Sequence, residues 1–152
     1  MKILYITQLK HHHFSKLCSY LTGEGYEIDV LTPREYNDNL KNLRTYRDFY
    51  EKIRFLDKLT RIKKISKSFG NFLEKIIKEK VENFINKINP DVIHLIGVGE
   101  NVISKYIRDC KIPLVSSIHG GDIHQLPWEQ FGAFQRIKNL LKRSDVINVY
   151  SE

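Results

Sequence analysis

Apolar residues fall along this chain in two rhythms. Short runs recur at Lys2-Ile3-Leu4-Tyr5-Ile6-Thr7, Glu27-Ile28-Asp29-Val30-Leu31-Thr32, Asp91-Val92-Ile93-His94-Leu95-Ile96, Pro113-Leu114-Val115-Ser116-Ser117-Ile118 and Asp145-Val146-Ile147-Asn148-Val149-Tyr150. Several are too apolar to have a wet face, as expected of strands covered on both sides in a parallel sheet. Between them the spacing turns helical. Phe14, Leu17, Cys18 and Leu21 keep helical steps, with Gly23 and Gly25 as stop residues. Leu59, Ile62, Ile65, Phe69, Phe72, Leu73, Ile76, Val81, Phe84, Ile85 and Ile88 do the same. Ser68, Gly70 and Asn71 are expected to divide this stretch, Asn71 acting as a cap, and Asn89-Pro90 ends it. Further helices are predicted over Asn101–Cys110 and Trp128–Lys142. Residues 34–57 mix Tyr46, Phe49, Tyr50, Ile53 and Phe55 with many charges, and fit either a short strand near Tyr46–Phe55 or a helix.

Strands alternating with helices imply parallel neighbours joined by right-handed crossovers. The prediction is an α/β fold: a Rossmann-like, doubly wound parallel sheet in three αβα layers, formed by residues 1–152 as one domain. No repeat of solenoid or propeller period is present.

Composition narrows the class. With 41% hydrophobic and 28% charged residues the chain is of soluble globular type. No apolar run approaches the roughly 20 residues that span a bilayer. After Met1 and Lys2 the apolar stretch Ile3 to Thr7 gives way to Gln8 and Lys10, too short for a signal peptide. A cytoplasmic protein is expected. Cys18 and Cys110 lie in no CxxC pair and read as reduced thiols. The formal charge of +7 invites an anionic partner.

Ligands of open parallel sheets bind beyond the carboxyl ends of the strands, which selects three loops. The first holds Gln8, Lys10, His11, His12 and His13. Adjacent histidines diverge and rarely converge on one ion, so a ligand-facing polar loop and a solvated helix entry compete as readings, with metal third. The second is Gly97-Val98-Gly99-Glu100, which starts like a dinucleotide fingerprint but has Val102 where the third glycine belongs. Its glycines allow a tight turn or a close backbone approach. The third, His119-Gly120-Gly121-Asp122 with His124 behind it, brings an imidazole, two glycines and a carboxylate to the mouth of the sheet. A plain turn with a local Asx-type bond is its bland counterpart. Trp128 suits stacking on a sugar face or core packing.

Between Lys58 and Lys80 stand eight basic residues, including Arg61, Lys63, Lys64 and Lys67, against two acidic ones; this excess of six is most of the chain's +7. A basic helix with an apolar stripe can lie on an anionic membrane surface, and it can equally be a solvated face packed on the sheet. Nucleic acid is not expected, because no recognition motif accompanies the charge.

In order along the chain, Gly25-Tyr26-Glu27-Ile28-Asp29-Val30-Leu31-Thr32, Pro90-Asp91-Val92-Ile93-His94, Pro113 to Asp122 and Ser144 to Glu152 resemble the N-terminal domain of glycosyltransferase family 4. The likeness covers roughly residues 1–32 and 90–152 and nothing in between. It implies one half of a retaining GT-B enzyme, whose N-terminal domain mainly binds the acceptor. A C-terminal domain, absent here, would hold the nucleotide-sugar donor, and no metal or cofactor is needed. By this resemblance His119 is the catalytic candidate touching the transferred sugar. Gly120, Gly121 and Asp122 shape the cleft wall, and Gln8 to His13 face donor phosphate or acceptor. The family usually has glycines in that first loop; here Lys10 would supply charge instead. The expected partners are a nucleotide sugar, a glycan or lipid-linked acceptor and an anionic membrane at the inner face of the plasma membrane. Such a half is expected to be inactive alone. The alternatives are a non-catalytic docking subunit of a split enzyme and an unrelated Rossmann-like ligand-binding domain.

Overall fold

The computed structural model describes residues 1–8, 12–34, 42–62, 66–97, 101–107, 109–119 and 133–150. Six strands form one sheet: β1 (Lys2–Thr7), β2 (Glu27–Leu31), β3 (Leu43–Thr45), β4 (Val92–Ile96), β5 (Leu114–His119) and β6 (Val146–Tyr150). Their order is β3-β2-β1-β4-β5-β6, and every pairing is parallel. The chain therefore builds outward from β1 in one direction, returns, and builds outward from β4 in the other. That reversal between β1 and β4 is a topological switch point.

Helices cover both faces. On one face α1 (His12–Gly23) lays Phe14 and Cys18 on Ile3, Tyr5, Ile28 and Val30. The Tyr5 and Phe14 rings meet edge to face at 5.0 Å. The larger core lies on the other face. There α2 (Arg47–Thr60), α3 (Lys67–Ile88), a 3-10 turn (Val102–Lys105) and α4 (Ala133–Arg143) pack on Leu4, Ile6, Leu31, Ile93, Leu95, Leu114 and Ile118. The predicted three-layer α/β arrangement is what the chain forms.

Three local expectations are corrected. Residues 34–57 contain both a strand and a helix, but the strand is β3, ahead of Tyr46, and the helix takes Arg47 onward. β3 is held in place by polar bonds: Arg44 and the Tyr46 hydroxyl both reach the fully buried Asp29 of β2, each at 2.9 Å. The long helical stretch divides earlier than Ser68–Asn71. Ser66 caps α3, its Oγ accepting from the Phe69 N–H at 3.3 Å, so Asn71 lies inside the helix. The buried stripe of α3 is Leu73, Ile77, Val81, Phe84, Ile85 and Ile88; Ile76 is off it, and Phe69 and Phe72 are exposed. Finally, among the described residues of 101–110 the helical structure is the short 3-10 turn, because Asn101 Oδ1 and its carbonyl hold the next residues in tight turns. The stop at Asn89 holds: it takes the left-handed conformation at φ 50°, and its N–H donates to Ile85 O. Cys18 and Cys110 are free thiols.

Candidate functional site

The register shows how the strand ends meet. Thr7 pairs with Ile96, Ile96 with Ser117 and His119 with Tyr150. β1 and β4 therefore stop level with each other at the switch point, and β5 continues two residues further to His119. Gln8, Gly97 and the His119 backbone thus stand at one mouth, as the carboxyl-end rule requires. Gly97 adopts φ 74°, a left-handed backbone that turns the chain off β4, while its N–H donates to Ser117 O at 3.2 Å.

Beneath this mouth lies a knot of hydrogen bonds. Tyr50 of α2 is fully buried, and its hydroxyl accepts from Gln8 Nε2 at 2.7 Å. The Val102 backbone N–H donates to the same oxygen. One phenol therefore ties the residue after β1 to the turn after β4. Burial pushes its pKa well above the ordinary phenol range, so it stays protonated. Beside it, Asn101 caps the 3-10 turn through Oδ1, which accepts from Ile103 N–H at 3.0 Å. Asn101 is only 3% exposed, and among the described residues its Nδ2 has no hydrogen-bond partner. A buried amide donor left in that state costs about 1–3 kcal/mol, so it is an open position for an acceptor oxygen.

A polar row runs up the α1 face of the sheet toward His119. His94 Nε2 and Ser117 Oγ are 2.7 Å apart, and the His94 ring lies 4.9 Å from the Tyr5 ring. Desolvation lowers the His94 pKa to about 4, so the ring is neutral at physiological pH and offers one donor and one acceptor rather than a charge.

A second knot braces the turn from behind. Asp57 of α2, 2% exposed, accepts from the Tyr106 hydroxyl at 2.8 Å, Arg61 at 2.5 Å and Lys105 at 3.3 Å. Lys105 also reaches Glu74 of α3 at 2.6 Å. These bonds fasten the segment after β4 to both large helices.

The sequence-based site residues divide as follows. Gln8, Gly97 and the backbone of His119 are brought together. His12 and His13 open α1, immediately after the β1 loop. Lys10, His11, Gly99, Glu100, Gly120, Gly121, Asp122 and His124 lie outside the described residues, as does Trp128. Of the basic segment, Arg61 and Lys67 are exposed at the α2–α3 connection, with Arg61 engaged by Asp57. Lys63 and Lys64 lie outside the described residues. Tyr50, Asn101 and His94 were not among the sequence-based candidates. Tyr50 sits in an aromatic-rich, charged stretch where nothing local marks it. Asn101 carried a visible signal, since an Asn before a helical pattern is a cap, but its orphan amide is a property of packing. Among the described residues, no group of three His, Cys, Asp or Glu side chains could hold a metal ion.

The family model described as glycosyl transferase 4-like matches residues 2–151 of this chain. No curated protein matches it.

Proposed function

Because this chain belongs to the glycosyl transferase 4-like family as an N-terminal domain of glycosyltransferase type, we propose that it forms the acceptor side of a retaining GT-B enzyme. That enzyme moves a sugar from a nucleotide-sugar donor to a glycan or lipid-linked acceptor. The donor is held mainly by a second Rossmann-like domain, which supplies the charge stabilisation that a leaving diphosphate needs. The observation that carries this reading is the meeting of the β1, β4 and β5 ends at the switch point. The described groups at and just below the mouth are neutral: the amides of Gln8 and Asn101, the ring of His94 and the hydroxyl of Ser117. Neutral donors and acceptors recognise sugar hydroxyls without fixing a charge. In this reading His119 contacts the transferred sugar, and Gly120, Gly121 and Asp122 form the adjoining wall.

The test is a titration of the isotope-labelled chain followed by amide shifts. Candidate glycan and lipid-linked acceptors are expected to move the signals of Gln8, Gly97, Asn101 and His119, whereas nucleotide sugars alone leave them nearly unchanged. Tight binding of a nucleotide sugar at these positions, with acceptors silent, would reverse the assignment of sides.

We further propose contact with an anionic membrane at the α2–α3 connection, at the inner face of the plasma membrane. Exposed Phe69 and Phe72, with rings 6.3 Å apart, stand beside Lys67 there. Among the described residues no helix is long and apolar enough to cross a membrane, so the contact would be peripheral. Co-sedimentation with anionic but not neutral vesicles, weakened by salt and by Lys63→Glu/Lys64→Glu/Lys67→Glu, is the expected result. No sedimentation under any condition removes this part of the proposal.

A further inference from the structure

Away from the mouth, the crossing of α2 and α3 leaves a groove of about 670 Å³. Its floor is apolar: the Phe49 and Phe84 rings stack at 4.2 Å with 13° between their planes, and Ile53 is fully buried beside them. Phe55 stands at its edge with 62% of its surface exposed. Lys52, Lys80 and Lys87 line it together with Leu56 and Asn83, and among the described residues no acidic side chain lines it. All three lysines are exposed. Among the described residues none of them forms an ion pair with an acidic side chain, although Lys2, Lys78 and Lys105 do.

An apolar floor under three lysines that form no ion pair among the described residues is a definite chemical demand. Like charges around one cleft raise the local potential, and an anion relieves it. The stacked rings favour alkyl or aryl surface. The size narrows the occupant further. The volume lies within the roughly 300–1,000 Å³ of small-molecule pockets, whereas a stable protein partner covers on the order of 1,200–2,000 Å². The groove is also distinct from the sites discussed above. Its α3 residues lie in the half of the helix that leads into β4, near Ile88, whose carbonyl receives the Lys2 ammonium at the start of β1. The α3 end of the groove therefore points toward the amino ends of the strands, while its α2 residues Phe49 and Ile53 flank Tyr50 without including it. From Phe69 to Phe84, fifteen residues along α3, the rise is about 22 Å, so the Phe49–Phe84 floor lies well away from the exposed Phe69 and Phe72 of the proposed membrane contact.

We propose that this groove binds one single-chain anionic amphiphile. Its alkyl or aryl body lies on the Phe49–Phe84 floor against Phe55, and its phosphate or carboxylate head is held by Lys52, Lys80 and Lys87. The site does not depend on the acceptor-side reading, because it shares no residue with the mouth.

The experiment is calorimetric and amide-shift titration of the whole chain with dodecyl phosphate, kept below the concentration at which it forms micelles. Saturable one-to-one binding is expected, with shifts at Phe49, Ile53 and Phe84 and none at Gly97. Lys52→Gln/Lys87→Gln should weaken it about tenfold or more, since charge-assisted bonds to the head are lost. Lys75→Gln, an exposed change elsewhere on α3, should leave it unaltered. Phe55→Ser should weaken dodecyl phosphate without altering the urea midpoint, because that side chain is already exposed. Equal affinity for dodecyl maltoside would reduce the groove to a greasy patch and overturn the proposal. Equal affinity for inorganic phosphate would reduce it to a basic patch, with the same consequence. Binding to anionic vesicles with no response to monomeric dodecyl phosphate would assign the lysines to a membrane surface instead. Failure of acceptors to bind at the mouth would leave all these outcomes unchanged, so the two proposals fail separately.

Discussion

Replacing Tyr50 with phenylalanine deletes one buried oxygen and leaves the ring. The ring fills the same space, so the cavity cost that accompanies truncation is avoided and the change isolates the hydroxyl. That oxygen accepts from Gln8 Nε2 at 2.7 Å and from the Val102 N–H. Gln8 is half-buried at the mouth, so its loss is that of an ordinary hydrogen bond, about 0.5–1.5 kcal/mol. Val102 lies between two buried residues, and its N–H is left facing a carbon ring at a cost of about 1–2 kcal/mol. Together Tyr50→Phe should destabilise the chain by about 1.5–3 kcal/mol. Urea unfolding should show a lower midpoint with an unchanged slope, because the native surface is the same. Amide exchange gives the local readout: the Val102 N–H should lose about tenfold or more of its protection, while Leu4 and Leu95 in the sheet follow only the global change. The Gln8 signal should broaden or shift, since its anchor is gone. A midpoint within about 0.5 kcal/mol of wild type, with Val102 no faster than before, would refute the claim that this hydroxyl joins the two strand ends.

Other perturbations probe the neighbouring contacts. Asp57→Ala leaves the Tyr106 hydroxyl and Lys105 without their buried acceptor and should cost about 2–4 kcal/mol, less than a fully buried ion pair because Arg61 is mostly in water. Combined with Tyr106→Phe it should be non-additive by about 1 kcal/mol in urea unfolding, and additivity would show that the two groups act separately. His94 has its pKa lowered from 6.5 to about 4, so between those values the unfolded chain binds a proton that the native ring refuses. Its contribution is full above about pH 6.5 and fades as the pH falls toward 4; urea midpoints measured from pH 7.5 to 4.5 should decline less steeply in His94→Gln, and an equal decline would refute the assignment. Gly97→Ala forces a Cβ onto a backbone at φ 74° and should cost about 1–2 kcal/mol by thermal unfolding; an unchanged midpoint would refute the need for a left-handed residue at this turn.

The strand-forming segments and the parallel sheet were legible in the chain itself. Runs such as Ile3–Ile6 are apolar on both faces, and a sheet covered on both sides uses such runs, whatever the remaining contacts are. The stop at Asn89-Pro90 was legible for the same kind of reason, because left-handed Asn and an N–H-less Pro act locally. The location of the mouth followed once parallel strands were granted, since ligand-facing loops must then lie at their carboxyl ends. The tertiary structure alone decided what depended on distant partners. β3 has three residues and no apolar run of its own; it is a strand because Arg44 and Tyr46 meet Asp29, fifteen and seventeen residues earlier. The phase of α3, with Ile77 inward and Ile76 off the buried stripe, was set by packing against α2 and the sheet, since the helical period fits either choice. Tyr50 entered the site from a helix forty-two residues beyond Gln8, and Asp57 braces a turn forty-eight residues beyond itself. A lone tyrosine or aspartate carries no local mark of such a partner, because a buried hydrogen bond is a property of two side chains and the fold that brings them together.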